Sequence, residues 1–136
     1  MDRLAACLAL HGAVVLIISL VAGLLLHRAI RNEQSVAAWH LVHSGGSGRG
    51  VLLIALAATV HLIALPSAQL STFVWLVLVF TWTSMSAMVI AAASGERGLR
   101  HDGSVLNRLV YVLYFLSAVA VFPANVLLVV GLVRAL

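Results

Sequence analysis

The sequence predicts an all-α fold, an integral membrane four-helix transmembrane bundle, and three observations support this prediction. First, 63% of the 136 residues are hydrophobic and only 9% are charged, whereas roughly 45–50% of an average soluble domain is apolar. Second, the apolar residues form four runs, each close to the roughly 20 residues that a helix needs to cross a bilayer. Third, the long polar stretches lie between these runs. We therefore expect a single transmembrane domain over residues 1–136.

Each apolar run is predicted to form one membrane-spanning helix. The predicted spans are approximately residues 4–26, 48–65, 71–93 and 105–133. The second span can begin earlier, near Trp39, and it ends at Pro66, so the short uncharged link after it predicts an antiparallel hairpin with the third span. The first run, of about 23 residues, is longer than the 7–15 apolar residues of a signal peptide, and we expect it to be a retained helix.

The positions of the arginines predict the orientation in the membrane. All eight basic residues are arginines, and six of them flank the two long connections, residues 27–47 and 94–104. By the positive-inside rule, both connections are expected in the cytoplasm and both termini outside, in a bacterial inner membrane. The arginines are not interleaved with aromatic residues, so the expected partner is the lipid bilayer, and no nucleic acid is expected.

Hydrolytic chemistry by side chains alone is not expected. The carboxylates are Asp2, Glu33, Glu96 and Asp102, all at loops or the terminus, and no Ser-His-Asp set or phosphate-binding glycine loop can be assembled. A single cysteine, Cys7, allows neither an intrachain disulfide nor a cysteine metal cluster. The chain is therefore expected to hold a cofactor.

Six histidines in so apolar a chain point to the type of cofactor. Imidazole is costly to place in hydrocarbon, and it is a frequent ligand of metals and of haem iron. His11 and His61 lie inside the first and second apolar runs, whereas His40 and His43 precede the predicted start of the second. These positions define two candidate sites for a metal or haem.

The first candidate site is the segment 39–50, which holds two histidines, four glycines and an arginine. If the second helix begins near Trp39, His40 and His43 share one face near the membrane boundary. The glycines would let a flat macrocycle approach the backbone, and Arg49 could pair with a haem propionate. The alternative interpretation is a flexible loop that faces lipid headgroups.

The second candidate site pairs His11 with His61. The first helix runs inward and the second outward, so both histidines are expected about 8–10 Å below the outer surface, as a bis-histidine haem requires. The alternative for each is a hydrogen bond to a neighbouring carbonyl or hydroxyl. His43 and His61 are roughly 27 Å apart along one helix and cannot share an iron. Met88 in the third span is either a packing residue or, through its thioether, an axial ligand.

Five short motifs occur in a fixed order along the chain. They are His11-Gly12, then Gly23 twelve positions after His11, His43-Ser44-Gly45 before the second span, Trp82 in the third, and Arg97-Gly98-Leu99 after it. In this order and spacing, they resemble the styrene oxide isomerases. Members of that family are small four-helix membrane proteins that assemble as trimers and bind haem b at subunit interfaces. The resemblance implies a homotrimer of the same kind.

The resemblance also implies a cofactor and an activity. His43 matches the histidine of the family's His-Ser-Gly and would be the axial ligand of haem b, with Ser44 and Gly45 beside the cofactor. Ferric haem would act as a Lewis acid that isomerises a small apolar (aryl) epoxide to an aldehyde. The chain would then be an intramolecular isomerase.

Three positions depart from the family's pattern. Without gaps, the family's pocket asparagine falls on Arg49, its third-helix tyrosine on Met88, and an aspartate on Phe80. Met88 could fill the vacant iron position, and Arg49 could bring positive charge near an oxygen-bearing ligand. Two alternatives therefore stay open: a non-catalytic membrane cytochrome with six-coordinate haem, for electron transfer or gas sensing, and a haem-free structural membrane subunit.

Overall fold

The computed structural model describes residues 3–32 and 36–136. Four α-helices follow one another: α1 Arg3–Arg31, α2 Ala37–Thr59, α3 Ser67–Ser94 and α4 Val105–Val133. A 3₁₀ turn, Val60–Leu62, continues α2. All four helices are long and apolar enough to cross a membrane. The predicted all-α transmembrane four-helix bundle is thus confirmed.

The connection between the first two helices is shorter than the sequence predicts. Residues 27–47 were expected to form a polar loop, but α1 continues to Arg31 and α2 begins at Ala37. The prediction of a long first loop is therefore wrong, and the earlier start of the second helix, near Trp39, is the one found. The second long connection, residues 94–104, lies between α3 and α4 as predicted.

The glycine-rich stretch of α2 is helical because its glycines allow close packing. A Cβ added at Gly46 would lie 3.0 Å from Cβ of Ser19 on α1 and 3.1 Å from Cε of Met85 on α3. At Gly12 on α1, an added Cβ would lie 2.9 Å from the carbonyl oxygen of Gly50. Small residues at such positions let transmembrane helices approach closely, and this contact offsets the low helix propensity of glycine.

The helices are arranged as two pairs. α1 packs along α2 and α3 along α4, and contact between the two pairs is sparser. α3 is the most buried of the four helices and contacts all three others. The α2–α3 link is tied to α4 because the backbone N–H of Ala64 donates to the carbonyl of Gly131 at 3.0 Å. The sparse contact leaves cavities between α2, α3 and α4.

The α3–α4 connection is held by the first turn of α4. α3 ends at Ser94 and is followed by Gly95, whose φ of 77° lies in the left-handed region, as is usual at a helix C-terminus. The Asn107 side chain accepts a hydrogen bond from the Gly98 N–H at 2.9 Å and donates to the carbonyls of Arg100 and Asp102. The Arg97-Gly98-Leu99 motif therefore belongs to a loop whose shape is set by hydrogen bonds.

Candidate cofactor and ligand site

His43 lies on the face of α2 that packs against α1. Its Nδ1 is 2.8 Å from the carbonyl oxygen of Ser19. Because a carbonyl oxygen can only accept, Nδ1 carries the proton and donates this bond. In a neutral imidazole the lone pair is then on Nε2, where a metal would bind. A carbonyl bonded to the other ring nitrogen is a common partner of metal-ligating histidines.

Three more contacts fix the position of His43. The Ser19 hydroxyl donates to the backbone carbonyl of His43 at 2.6 Å. Its single proton is used there, so Ser47, whose Oγ lies 2.7 Å away, is the donor between the two hydroxyls. Gly23 of α1 leaves room for the ring, since a Cβ there would lie 3.0 Å from Nδ1. The half-buried imidazole is thus oriented by α1.

No role for Ser19 or Ser47 was predicted from the sequence alone. The available signal was a hydroxyl in the middle of an apolar span, because such groups usually form hydrogen bonds between helices. Ser19 is fully buried at 0% exposure, so its partners had to come from within the bundle.

Gly45, Arg49, Phe80, Ser84 and Met88 form a second group, which we call the Arg49 cluster. The Nη1 of Arg49 donates to the carbonyl of Gly45 at 2.9 Å, and a Cβ added at Gly45 would lie 3.1 Å from the Met88 sulfur. Gly45 is about 200° around the helix from His43. Within one chain, His43 and Met88 therefore lie on opposite faces of α2.

The Arg49 guanidinium is held by neutral partners. Its Nε donates to Ser84 Oγ at 2.8 Å, and its central carbon lies 5.3 Å from the centre of the Phe80 ring, within the range of a cation–π interaction. The carboxylates of the described residues, Glu96 and Asp102, are in the α3–α4 connection. Ser84 is roughly 15 Å along α3 from that connection.

Two cavities adjoin the Arg49 cluster. The smaller, of about 60 Å³, lies between α2, α3 and α4 and includes Phe80 in its lining. The larger, of about 650 Å³, is lined by residues such as Leu41, Ala91, Arg97 and Tyr114. Its volume falls within the roughly 300–1,000 Å³ of small-molecule sites. Its lining comes within one turn of the cluster, since Leu41 precedes Gly45 by one turn of α2 and Ala92 follows Met88 by one turn of α3.

His11 and His61 are not brought together. Gly12, which follows His11, packs against Gly50 and Ile54 of α2, and His61 is at least about 10 Å further along that helix. His61 is exposed in the 3₁₀ turn. The expected match in depth between the two histidines is therefore not found.

His11 is hydrogen-bonded in the opposite sense to His43. Trp82 Nε1 lies 3.0 Å from His11 Nδ1, and the two rings meet edge to face with centroids 5.8 Å apart. An indole N–H can only donate, so Nδ1 accepts and the proton of the neutral ring is on Nε2. Neither nitrogen then offers a lone pair to a metal. The bond instead ties α1 to α3.

A comparison with known proteins identifies the family. The sequence profile of styrene oxide isomerase matches residues 4–133, which include parts or all of all four helices. The chain belongs to the styrene oxide isomerase family. A search among curated proteins finds no match.

In this member of the styrene oxide isomerase family, the last candidate residue to be placed is Ser44. Ser44 is exposed, and its hydroxyl donates to the carbonyl of His40 at 2.8 Å, one turn earlier in α2. Among residues 3–32 and 36–136, no three His, Cys, Asp or Glu side chains are grouped so as to hold a metal ion. Haem requires only one or two protein ligands, so a single suitably oriented histidine such as His43 meets its needs.

Proposed function

We propose that the chain is a haem b-dependent isomerase that converts a small apolar aryl epoxide into an aldehyde. Membership of the styrene oxide isomerase family supports the reaction class. The structural observation that carries the cofactor assignment is the bond from His43 Nδ1 to the Ser19 carbonyl, because it leaves Nε2 available as a ligand.

The residues around His43 are suited to hold haem. Haem bound at His43 would supply a ferric Lewis acid for opening the epoxide. The Ser19 carbonyl fixes the tautomer of the imidazole and increases its basicity as a ligand. The Ser19 and Ser47 hydroxyls fix the backbone from which the ring projects. The ligand would thus be oriented before the cofactor binds.

The apolar interior favours isomerisation over hydrolysis. The smaller cavity is lined by aliphatic and aromatic side chains from three helices together with one amide: Leu52, Leu56, Phe73, Val77, Phe80, Val121, Ala124, Asn125 and Leu128. An intramolecular isomerisation needs no water, and exclusion of water suppresses the competing hydrolysis of a reactive intermediate. The cavity itself, of about 60 Å³, is smaller than the roughly 300–1,000 Å³ of small-molecule sites, so its lining bears on the exclusion of water and not on where a small hydrophobic substrate binds.

We propose a homotrimer with haem at the subunit interfaces. His43 and the Arg49 cluster lie on opposite faces of α2, so two copies of the chain are needed to present both groups to one cofactor. Large apolar side chains are exposed along α1 and α4, for example Leu24 at 72% and Phe122 at 78%. These faces would contact lipid and neighbouring copies.

The arginine distribution supports an orientation with the α1–α2 and α3–α4 connections in the cytoplasm and the termini outside, in a bacterial inner membrane. This part of the proposal is independent of the haem site. Labelling of single cysteines introduced at Asn32 and at Ala135 in a Cys7→Ala background in intact cells tests it, with labelling by an impermeant reagent expected only at Ala135.

The proposed reaction is tested with styrene oxide as the substrate. Purified wild-type protein is expected to form phenylacetaldehyde, and His43→Ala to lose about 100-fold or more of the rate, because the cofactor's charge stabilisation is lost. His40→Ala is the control, since His40 is exposed and one turn away. A haem-loaded wild type that forms no aldehyde, or a fully active His43→Ala, would contradict the proposal.

A further inference from the structure

We propose that Arg49 binds the carboxylate of an apolar, ring-bearing ligand. As a statement about the preferred substrate class, this inference rests on the proposed function. As a statement about a binding site, it rests only on the Arg49 cluster and the cavities beside it. The carboxylate can belong to a substrate or to a haem propionate, and the experiment below distinguishes these two sources.

The position of Arg49 in the membrane is the first observation. Arg49 is roughly 18 Å along α2 from its first residue, Ala37, within a helix long and apolar enough to span the bilayer. A charged side chain at such depth is costly, and it usually marks a ligand site or pairs with an opposite charge. The described carboxylates, Glu96 and Asp102, are both outside α3 and α4 in the connection between them.

The unused hydrogen-bond donors are the second observation. A guanidinium has five N–H donors, and the described residues accept bonds from two, through Ser84 Oγ and the Gly45 carbonyl. Three N–H groups, all at the Nη end, have no acceptor among residues 3–32 and 36–136. Both existing acceptors are uncharged, so the positive charge is not neutralised. A carboxylate would supply two acceptor oxygens and the missing charge.

The rigidity of the guanidinium is the third observation. The bond to Ser84, the bond to Gly45 and the Phe80 ring hold it from three sides. Ser84 is itself fixed, since its hydroxyl donates to the Phe80 carbonyl at 2.7 Å. A donor fork held in this way loses little conformational entropy when a ligand binds.

The lining of the larger cavity comes within one helical turn of the Arg49 cluster. Leu41 lines it one turn before Gly45, and Ala92 lines it one turn after Met88. Arg97 and Glu96 also line the cavity, near the α3–α4 connection, and their opposite charges offset each other there. The positive charge available to an anion is therefore that of Arg49. An apolar body with one carboxylate matches these linings.

The test compares two probes of nearly the same shape. Phenylacetate and the neutral phenylacetamide are titrated into the full-length chain in detergent by calorimetry, both with the protein as purified and with the His43→Ala variant. We expect phenylacetate to bind about 10-fold or more tightly than phenylacetamide, since a charged hydrogen bond is lost with the amide.

Arg49→Gln should remove this preference for phenylacetate, and Arg49→Lys should retain part of it. Arg108→Gln, which alters an exposed arginine, is the matched control and should retain all of it.

Each outcome decides the inference. If phenylacetate is preferred in both preparations, Arg49 is free in the protein as purified, and the site is assigned to a substrate carboxylate. If phenylacetate is preferred only in His43→Ala protein that has lost haem, a haem propionate occupied Arg49 before, and the site is assigned to a propionate. No preference in either preparation, or a preference that survives Arg49→Gln, overturns the inference. If Arg49→Gln does not fold, the two-probe comparison and Arg49→Lys still decide it. Neither probe is an epoxide, so a failure of the proposed isomerase function would be seen separately, in the styrene oxide assay.

Discussion

His43 and His11 both lie inside membrane-spanning helices, and their ring protons are on different nitrogens. The Ser19 carbonyl accepts from Nδ1 of His43, whereas the Trp82 indole donates to Nδ1 of His11. This difference makes His43 the better ligand. The sequence identified both histidines as candidates, but it could not rank them by tautomer because the partners lie on other helices, 24 and 71 residues away.

Trp82→Phe tests the structural role assigned to His11. The substitution leaves His11 Nδ1 without its donor, and we expect a loss of about 1 kcal/mol in the free energy of unfolding, with an unchanged haem absorption spectrum. Trp75→Phe is the control, because Trp75 is 65% exposed on the same helix. Both quantities are measured in detergent, and loss of haem from Trp82→Phe alone would contradict the assignment.

Ser19→Ala tests the support of His43 by α1. The variant removes the hydroxyl bonds to the His43 carbonyl and to Ser47 while keeping the backbone carbonyl that holds Nδ1. We expect unfolding in detergent to become easier by about 1 kcal/mol, with haem still bound but released more readily. Thr72→Ala, which removes an exposed hydroxyl that bonds only within α3, should change neither quantity. If the variant and its control have equal effects, the Ser19 hydroxyl does not support His43.

At the scale of helices, composition alone predicted the existence and order of all four spans, but it did not predict where α2 begins. The stretch 45–50 has four glycines, and their propensity favours a loop. It is helical because Gly46 packs closely against α1 and α3 and Gly50 against α1, and these contacts are present only in the packed bundle. Because the sequence did not establish that this stretch is helical, it could not show that His43 and the Arg49 cluster lie on different faces of α2.

Gly50→Ala and Gly48→Ala test the close packing of α1 and α2. A Cβ at Gly50 would lie 2.6 Å from Leu16 Cγ and 3.0 Å from the carbonyl oxygen of Gly12, whereas at Gly48 it would meet nothing within 4 Å. We expect Gly50→Ala to lower the free energy of unfolding by about 1–3 kcal/mol. Gly48→Ala should leave it unchanged or raise it by up to about 1 kcal/mol. Denaturation followed by circular dichroism measures both, and equal effects would contradict the packing.

At the scale of the whole molecule, the residues of the proposed site lie on two faces of α2. The sequence supplied the residues of this site, namely His43, Gly45, Arg49 and Met88, and the structure distributes them between two sides of one helix. A ligand on one side and a pocket on the other are used together only if copies of the chain associate. This geometry supports the proposed association of copies, and the number of three copies rests on the family resemblance alone.

The mass of the complex tests this association. We expect native mass spectrometry of the protein released from detergent to show three chains of 14.4 kDa each together with haem. His43→Ala should lose the haem masses, whether or not the three chains stay associated. A haem-bound monomer would contradict the proposal that haem lies at subunit interfaces.

The central claim, that His43 ligates a haem with an open iron position, is tested most directly by the absorption spectrum of His43→Gly with and without added imidazole. We expect the wild type and the control His40→Gly to show a high-spin ferric spectrum, His43→Gly to lose it, and free imidazole to restore it by occupying the space left by the side chain. A six-coordinate low-spin spectrum that persists in His43→Gly would contradict the claim.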